Sequence, residues 1–298
     1  MIRVANAPCS WGALEFDLAG DVPAAERVLD EMAGAGYAGT ELGDWGFFPP
    51  EPDALHDALS RRGLVLVGGF VAVALAGQSA HAEGRERAVK TARLMAAVAP
   101  RAVLVLSDDN GRDPARAGRA GRIRPGDGLD ASAWRVFADG VEEIARAVYD
   151  AAGLELVFHH HCGGFVETAD EVERLMDLTA PDLVGLCLDT GHWAYAGGDP
   201  LTAARRYGDR VRHVHFKDCD PSVAEAARRE GVDYLEAVRR GVFCELGAGD
   251  VDFSALVDQL RSRDYGGWIV VEQDVFPGLG RPLESALRSR AYLRELGA

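Results

Sequence analysis

Short runs of contiguous apolar residues alternate along this chain with longer segments whose apolar positions return every three or four residues. The short runs lie at 4–10, 39–43, 64–71, 102–107, 154–161, 183–189, 211–217 and 268–274. Unbroken apolar runs of this length are what strands covered on both faces require. The longer segments lie at 24–33, 52–61, 85–99, 131–150, 168–179, 201–207, 253–263 and 282–296, and they predict amphipathic helices. Val28, Leu29 and Met32 show the spacing in the first of them. Asp130, Thr168 and Asp252 stand at N-cap positions, where a short polar side chain can accept from the first unpaired backbone N–H groups. Gly36, Gly63, Gly153 and Gly266–Gly267 follow helical segments and precede strands, as C-caps do. Eight strands alternating with eight helices predict an α/β fold, a (β/α)8 barrel forming one catalytic domain over residues 1–298. An open, doubly wound sheet is the other arrangement of the same elements.

Three strand-to-helix connections are long, 44–51, 108–129 and 218–251, and the last carries a helical pattern near 223–240. Long loops in a compact fold are usually functional, and in a barrel these loops gather on the face that carries active sites.

Composition narrows the partners. The 298 residues are 48% hydrophobic and carry a net charge of -15, which repels nucleic-acid phosphates and anionic membranes. No apolar run reaches the ~18 residues of a membrane span, and the first residues lack the pattern of a secretory signal. Cys9, Cys162, Cys187, Cys219 and Cys244 are dispersed, without a CxxC pair, which reads as reduced thiols in a cytoplasmic protein. Lys90 and Lys217 are the only lysines among many arginines, which makes the position of Lys217 worth locating.

The chemistry lies at the strand ends. Glu41, Ser107-Asp108-Asp109, His159-His160-His161, Asp189, His213 to Asp218, and Glu272-Gln273-Asp274 each close a predicted strand. Six of the eight histidines fall at the ends of strands five, six and seven. Alternation puts His213, His215 and Lys217 on one face of their strand, and Val270 and Glu272 together on theirs. Any one of these residues could be a structural histidine, a cap or an arginine partner. Converging on one barrel mouth, carboxylates and imidazoles would be costly to hold together without a cation. Mixed oxygen and nitrogen donors suit Mn²⁺, Co²⁺, Fe²⁺, Zn²⁺ or Mg²⁺. The loop 111–124 holds Arg112, Arg116, Arg119, Arg122 and Arg124, either as a solvated mobile segment or as a lid or subunit contact for an anionic group. Trp11, Trp45, Phe47, Phe48 and Trp193 fall near strand ends and would suit a ring-shaped polyol, or serve as ordinary packing.

These motifs resemble a known family over the whole chain. Asn6-Ala7-Pro8-Cys9-Ser10-Trp11-Gly12, the segment from His159 to Thr168, Leu188-Asp189-Thr190-Gly191-His192, the segment from His213 to Asp218, the segment from Gly241 to Gly247, and Val270-Val271-Glu272-Gln273-Asp274 are similar to the xylose isomerase-like TIM barrels. Within that superfamily the chain resembles the inosose dehydratases of inositol catabolism. The resemblance implies a divalent metal, Mn²⁺ or Co²⁺ first, held by one residue from each of strands five to eight. Asp189, His215 and Glu272 match the last three. For the first, His159 stands where most members carry glutamate: either Glu167, eight residues later, folds back to the metal, which is the favoured reading, or a histidine takes that place. It further implies substrate contacts at His192, Trp11 and Glu41, and acid–base work divided among His159, His161 and Lys217.

The reaction so implied is loss of water from a keto-inositol through an enolate. The alternative is a ketose or inosose isomerase or epimerase using the same metal and enediolate; a dehydroshikimate-type dehydratase is another. Two further readings carry no such chemistry on a polyol: a metal-dependent endonuclease for abasic DNA, which the charge opposes, and a non-catalytic sugar-binding barrel, which the convergent acids and bases oppose. The implied partner is a small polyol ketone, with no nucleic acid, no membrane, and a homo-oligomer expected from the long loops.

Overall fold

A computed structural model describes residues 2–14 and 20–298. Eight parallel strands close into a barrel: Arg3–Asn6, Gly39–Glu41, Val65–Val73, Val103–Asp108, Leu156–His159, Val184–Asp189, Val211–Phe216 and Trp268–Val271. Each pairs with its neighbours in chain order, and the eighth pairs with the first to close the ring. All eight predicted runs are therefore strands, and closure excludes the open sheet. The predicted alternation holds. Val214, Phe216, Ile269 and Val271 point outward into the main core beneath the helices, while Ala5, Val67 and Val270 form a smaller cluster inside.

Helix ends follow local chemistry. Asp130 accepts from the N–H groups of Ser132 and Ala133, and Asp252 from that of Ala255. Thr168 and Glu171 form a reciprocal capping box. Gly36 and Gly153 end their helices in the left-handed conformation. Gly266–Gly267 does not act as a C-cap. After the helix Phe253–Ser262, Asp264 takes the left-handed turn at φ 52°, the only non-glycine to do so among the described residues. Aspartate tolerates that conformation because its short side chain bonds locally.

The long connections carry structure of their own. The helical pattern near 223–240 is two helices, Pro221–Glu230 and Tyr234–Arg239, separated by Gly231 at φ 71° and restarted by the cap Asp233. This insert is closed at its base. Asp218–Cys219 pairs antiparallel with Phe243–Cys244, and the Asp218 carboxylate accepts from the N–H groups of Cys219, Gly247, Gly249 and Val251. Its apolar residues, Ala224, Ala227, Tyr234, Val238 and Phe243 among them, pack with Tyr195 and Cys162 as a second core.

The arginine-rich loop is partly solvated, with Arg112 and Arg124 exposed, and partly fastened to the protein. Arg116 is buried, paired bidentately with Glu171 at 2.8 and 2.9 Å, and donates to the Gly164 carbonyl. Arg119 pairs with Asp127, Arg112 with Asp109, and Arg122 donates to the carbonyls of Gly118 and Val232. These guanidiniums fasten the loop to itself, to the fifth strand's loop and to the insert. No helix among the described residues is long and apolar enough to cross a membrane.

Candidate active site

The fifth to eighth strands each deliver one donor to a common point. His159, Asp189, His215 and Glu272 each place one ligand-type atom within 4.8 Å of the others, and all four residues are buried. His159 Nε2 lies 3.5 Å from Asp189 Oδ2, and His215 Nδ1 lies 3.3 Å from Glu272 Oε2 and 3.8 Å from Asp189 Oδ2. Asp189 Oδ2 and His215 Nδ1 are buried without a hydrogen-bond partner. A divalent cation would give His215 Nδ1 the partner it lacks and share Asp189 Oδ2 with the Lys217 ammonium 3.3 Å away, and the N₂O₂ donor set suits one.

The local sequence explains the aim of each group. Asp189 caps the helix Thr190–Tyr195, accepting from the His192 N–H at 2.8 Å through Oδ1, which leaves Oδ2 for the cluster. Thr190 Oγ1 bonds the backbone of Lys217 on the next strand. Gly191 leaves room for the Lys217 stem; a Cβ there would lie 2.6 Å from its Cγ. His160 accepts from the Asp189 N–H and packs edge-on against Trp193, and burial pulls its pKa down to about 3. It is a neutral buttress.

Beside this cluster stands a second group. The Lys217 ammonium lies 3.3 Å from Asp189, 3.2 Å from Glu272 and 3.0 Å from Asp274, over the face of Phe243. Burial opposes its charge, but Asp189, Asp274 and Glu272 more than offset this and hold it protonated. Asp274 accepts from the Tyr234 hydroxyl at 2.9 Å, and that oxygen lies 3.3 Å from His161 Nε2. His161 Nδ1 donates to the Cys162 carbonyl at 2.6 Å. Burial, with His159 and Lys217 nearby, holds His161 well below the usual histidine range, so it is neutral with its lone pair on Nε2. His159, His215 and Glu272 of the first group and Lys217, Asp274 and His161 of the second line one cleft, with Phe70, Cys9 and Pro8 on its other walls.

Several expected site residues lie elsewhere. Glu167 does not reach the cluster: its two carboxylate oxygens accept from the N–H groups of Gly121 and Gly163, each at 2.7 Å. The strand-five place is taken by His159, which therefore stands among the candidate ligands rather than as an acid or base. Trp11 is packed in the main core and donates to Glu31 at 2.7 Å. Glu41 lines the cleft, but its Oε1 is taken by His213 and His215. His192 is fully buried behind Lys217, its Nε2 3.2 Å from Nζ. Trp45 instead stacks with Lys90, and Phe48 is core. Asp274 appears in the strand-end motif without a role of its own, and Tyr234 has no place in the sequence pattern. The alternation that marks Glu272 marks Asp274 as well, whereas nothing local marks Tyr234.

The setting of Glu167 makes a stability prediction. Burial raises its pKa to about 7 against the lowering effect of its two N–H bonds. The folded chain thus holds a proton that the unfolded chain releases near the ordinary glutamate value. Its contribution is present at low pH and is lost as pH rises through about 7. Between pH 5 and pH 8 the wild type should lose about 2 kcal/mol relative to Glu167→Gln. Urea unfolding of both proteins at the two pH values measures this, and parallel behaviour would contradict it.

Comparison with known proteins follows the same lines. The model of the xylose isomerase-like TIM barrel family matches residues 29–296. The chain is 35% identical to an inosose dehydratase of Geobacillus kaustophilus, covering 99% of this chain and 94% of that one. It is 36% identical to the rhizopine catabolism protein MocC of Rhizobium meliloti, covering 100% and 89%. Among solved structures, a probable 3-DHS dehydratase, AsbF of Bacillus anthracis, superposes with a TM-score of 0.74 at 12% identity over 99% of each chain.

Proposed function

The chain belongs to the inosose dehydratase family of xylose isomerase-like TIM barrels and is a dehydratase, and we propose that its substrate is a keto-inositol, 2-keto-myo-inositol first. The full-length similarity to inosose dehydratases carries this reading. The cleft supplies chemistry that fits it.

Loss of water beside a ketone removes a proton from one carbon and a hydroxyl from the next. His159, Asp189, His215 and Glu272 would hold the divalent ion, Mn²⁺ or Co²⁺ before Zn²⁺, Fe²⁺ or Mg²⁺. When bound, such an ion acts as a Lewis acid for the charge that builds on the ketone oxygen. His161 takes the carbon proton at Nε2, the nitrogen left basic by the Nδ1–H bond to Cys162. The Tyr234 oxygen, 3.3 Å away, can accept from Nε2 once it is protonated, and its own O–H stays on Asp274. Lys217 delivers a proton from Nζ to the departing hydroxyl, which leaves as water. Three carboxylates keep that ammonium loaded and aimed into the cleft.

Chelator-stripped protein, resupplied with each metal in turn and incubated with 2-keto-myo-inositol, tests the proposal. The expected product is lighter by one water, and formed only with metal. A product of unchanged mass with a new NMR spectrum would replace this reading by an isomerase or epimerase. No reaction with any metal would remove keto-inositols as the substrate.

A further inference from the structure

Glu41 is a poor substrate ligand and a well-built support. It sits deep in the lumen, across the barrel from the seventh strand, and it is buried. Its Oε1 takes 2.9 Å and 2.6 Å contacts from the Nε2 atoms of His215 and His213. A carboxylate can only accept, so both imidazoles carry their proton on Nε2. In the neutral ring this leaves the lone pair of His215 on Nδ1, the atom facing Asp189 and Glu272.

Two backbone features serve that placement. The pairing of the second and third strands slips between Thr40 and Glu41, so that Glu41 stands opposite Gly68 rather than Val67. Such irregularities re-aim a side chain. Gly68 then leaves the space the carboxylate fills: a Cβ there would lie 3.0 Å from Oε1 and 3.2 Å from Cδ.

The geometry points to Glu41 as the positioning residue of the metal centre, fixing the tautomer and ring plane of His215, with His213 holding the carboxylate from below. This rests on the assignment of His159, Asp189, His215 and Glu272 as the metal-binding set. Hydrogen bonds from a ligand histidine to a carboxylate typically govern metal affinity by one to two orders of magnitude.

The test is Mn²⁺ binding by the stripped, full-length protein, with free ion read by electron paramagnetic resonance. Glu41→Gln should weaken the Kd by about 10–100-fold, because a neutral amide replaces a charge-assisted acceptor. At saturating Mn²⁺ most of the kcat should return, the signature of a support rather than of a group that touches substrate. Gly68→Ala keeps the carboxylate but crowds it, and should weaken Mn²⁺ binding in the same direction. It decides the question if Glu41→Gln does not fold. Wild-type Mn²⁺ affinity in a folded Glu41→Gln, or in Gly68→Ala where that one fails to fold, would overturn the assignment of Glu41 alone. A wild-type protein that binds no Mn²⁺, Co²⁺ or Zn²⁺ would overturn the four-residue set and this inference with it.

Discussion

Lys217→Met is expected to lower kcat by about a thousandfold or more, within the range for losing a positioned acid and a charge that stabilises developing anions. Methionine fills much of the same volume, so packing against Phe243 and Gly191 survives while the charge is lost. The deletion leaves Asp189, Glu272 and Asp274, all ion-paired to Nζ, facing one another in a buried site. Metal-free variant should therefore be less stable by about 3–5 kcal/mol. Saturating Mn²⁺ should raise its melting temperature by more than it raises that of the wild type, since the ion then supplies the missing counter-charge. Steady-state kinetics and thermal melts with and without Mn²⁺ measure both effects. A kcat within tenfold of wild type would remove Lys217 from the chemistry.

Asp189→Asn is expected to abolish tight Mn²⁺ binding and to cost about 4 kcal/mol of transition-state stabilisation, roughly a thousandfold in kcat/KM. The variant is informative because the two oxygens of Asp189 have separate duties. Asparagine retains an acceptor for the His192 N–H, so the helix Thr190–Tyr195 keeps its cap. What it loses is the charge at Oδ2, which faces His159, His215 and Lys217. Circular dichroism should be unchanged while metal binding and turnover fall together. Wild-type turnover from a folded Asp189→Asn would exclude this aspartate as a ligand.

The barrel was legible because it is written twice, in apolar runs that only doubly covered strands use and in capping residues such as Asp130 and Thr168. Strand alternation likewise sent His215 and Glu272 to the lumen without knowledge of the fold. Residues that failed to follow their expected roles depend on what a loop does after its strand ends. Glu167 lies beyond the regular period, and its carboxylate is captured by the N–H groups of Gly121 and Gly163, one of them from another loop. Trp11 turns into the core because a partner, Glu31, is brought to its indole by a helix twenty residues on. The role of Glu41 hinges on a one-residue slip in strand pairing, which no periodicity records. Tyr234 reaches Asp274 only through the docking of the insert, a tertiary event without a local signature.

The closed base of that insert has an evolutionary consequence. Because Asp218 and the short antiparallel ladder tie its two ends together, the segment between them meets the barrel as a cassette. Its length and sequence can drift, or be exchanged wholesale, without altering the spacing of the seventh and eighth strands. Tyr234 is the point at which the cassette touches those groups, through its bond to Asp274. An exchanged cassette would leave the reaction centre intact only if it returned a hydroxyl to the place of Tyr234, between His161 and Asp274.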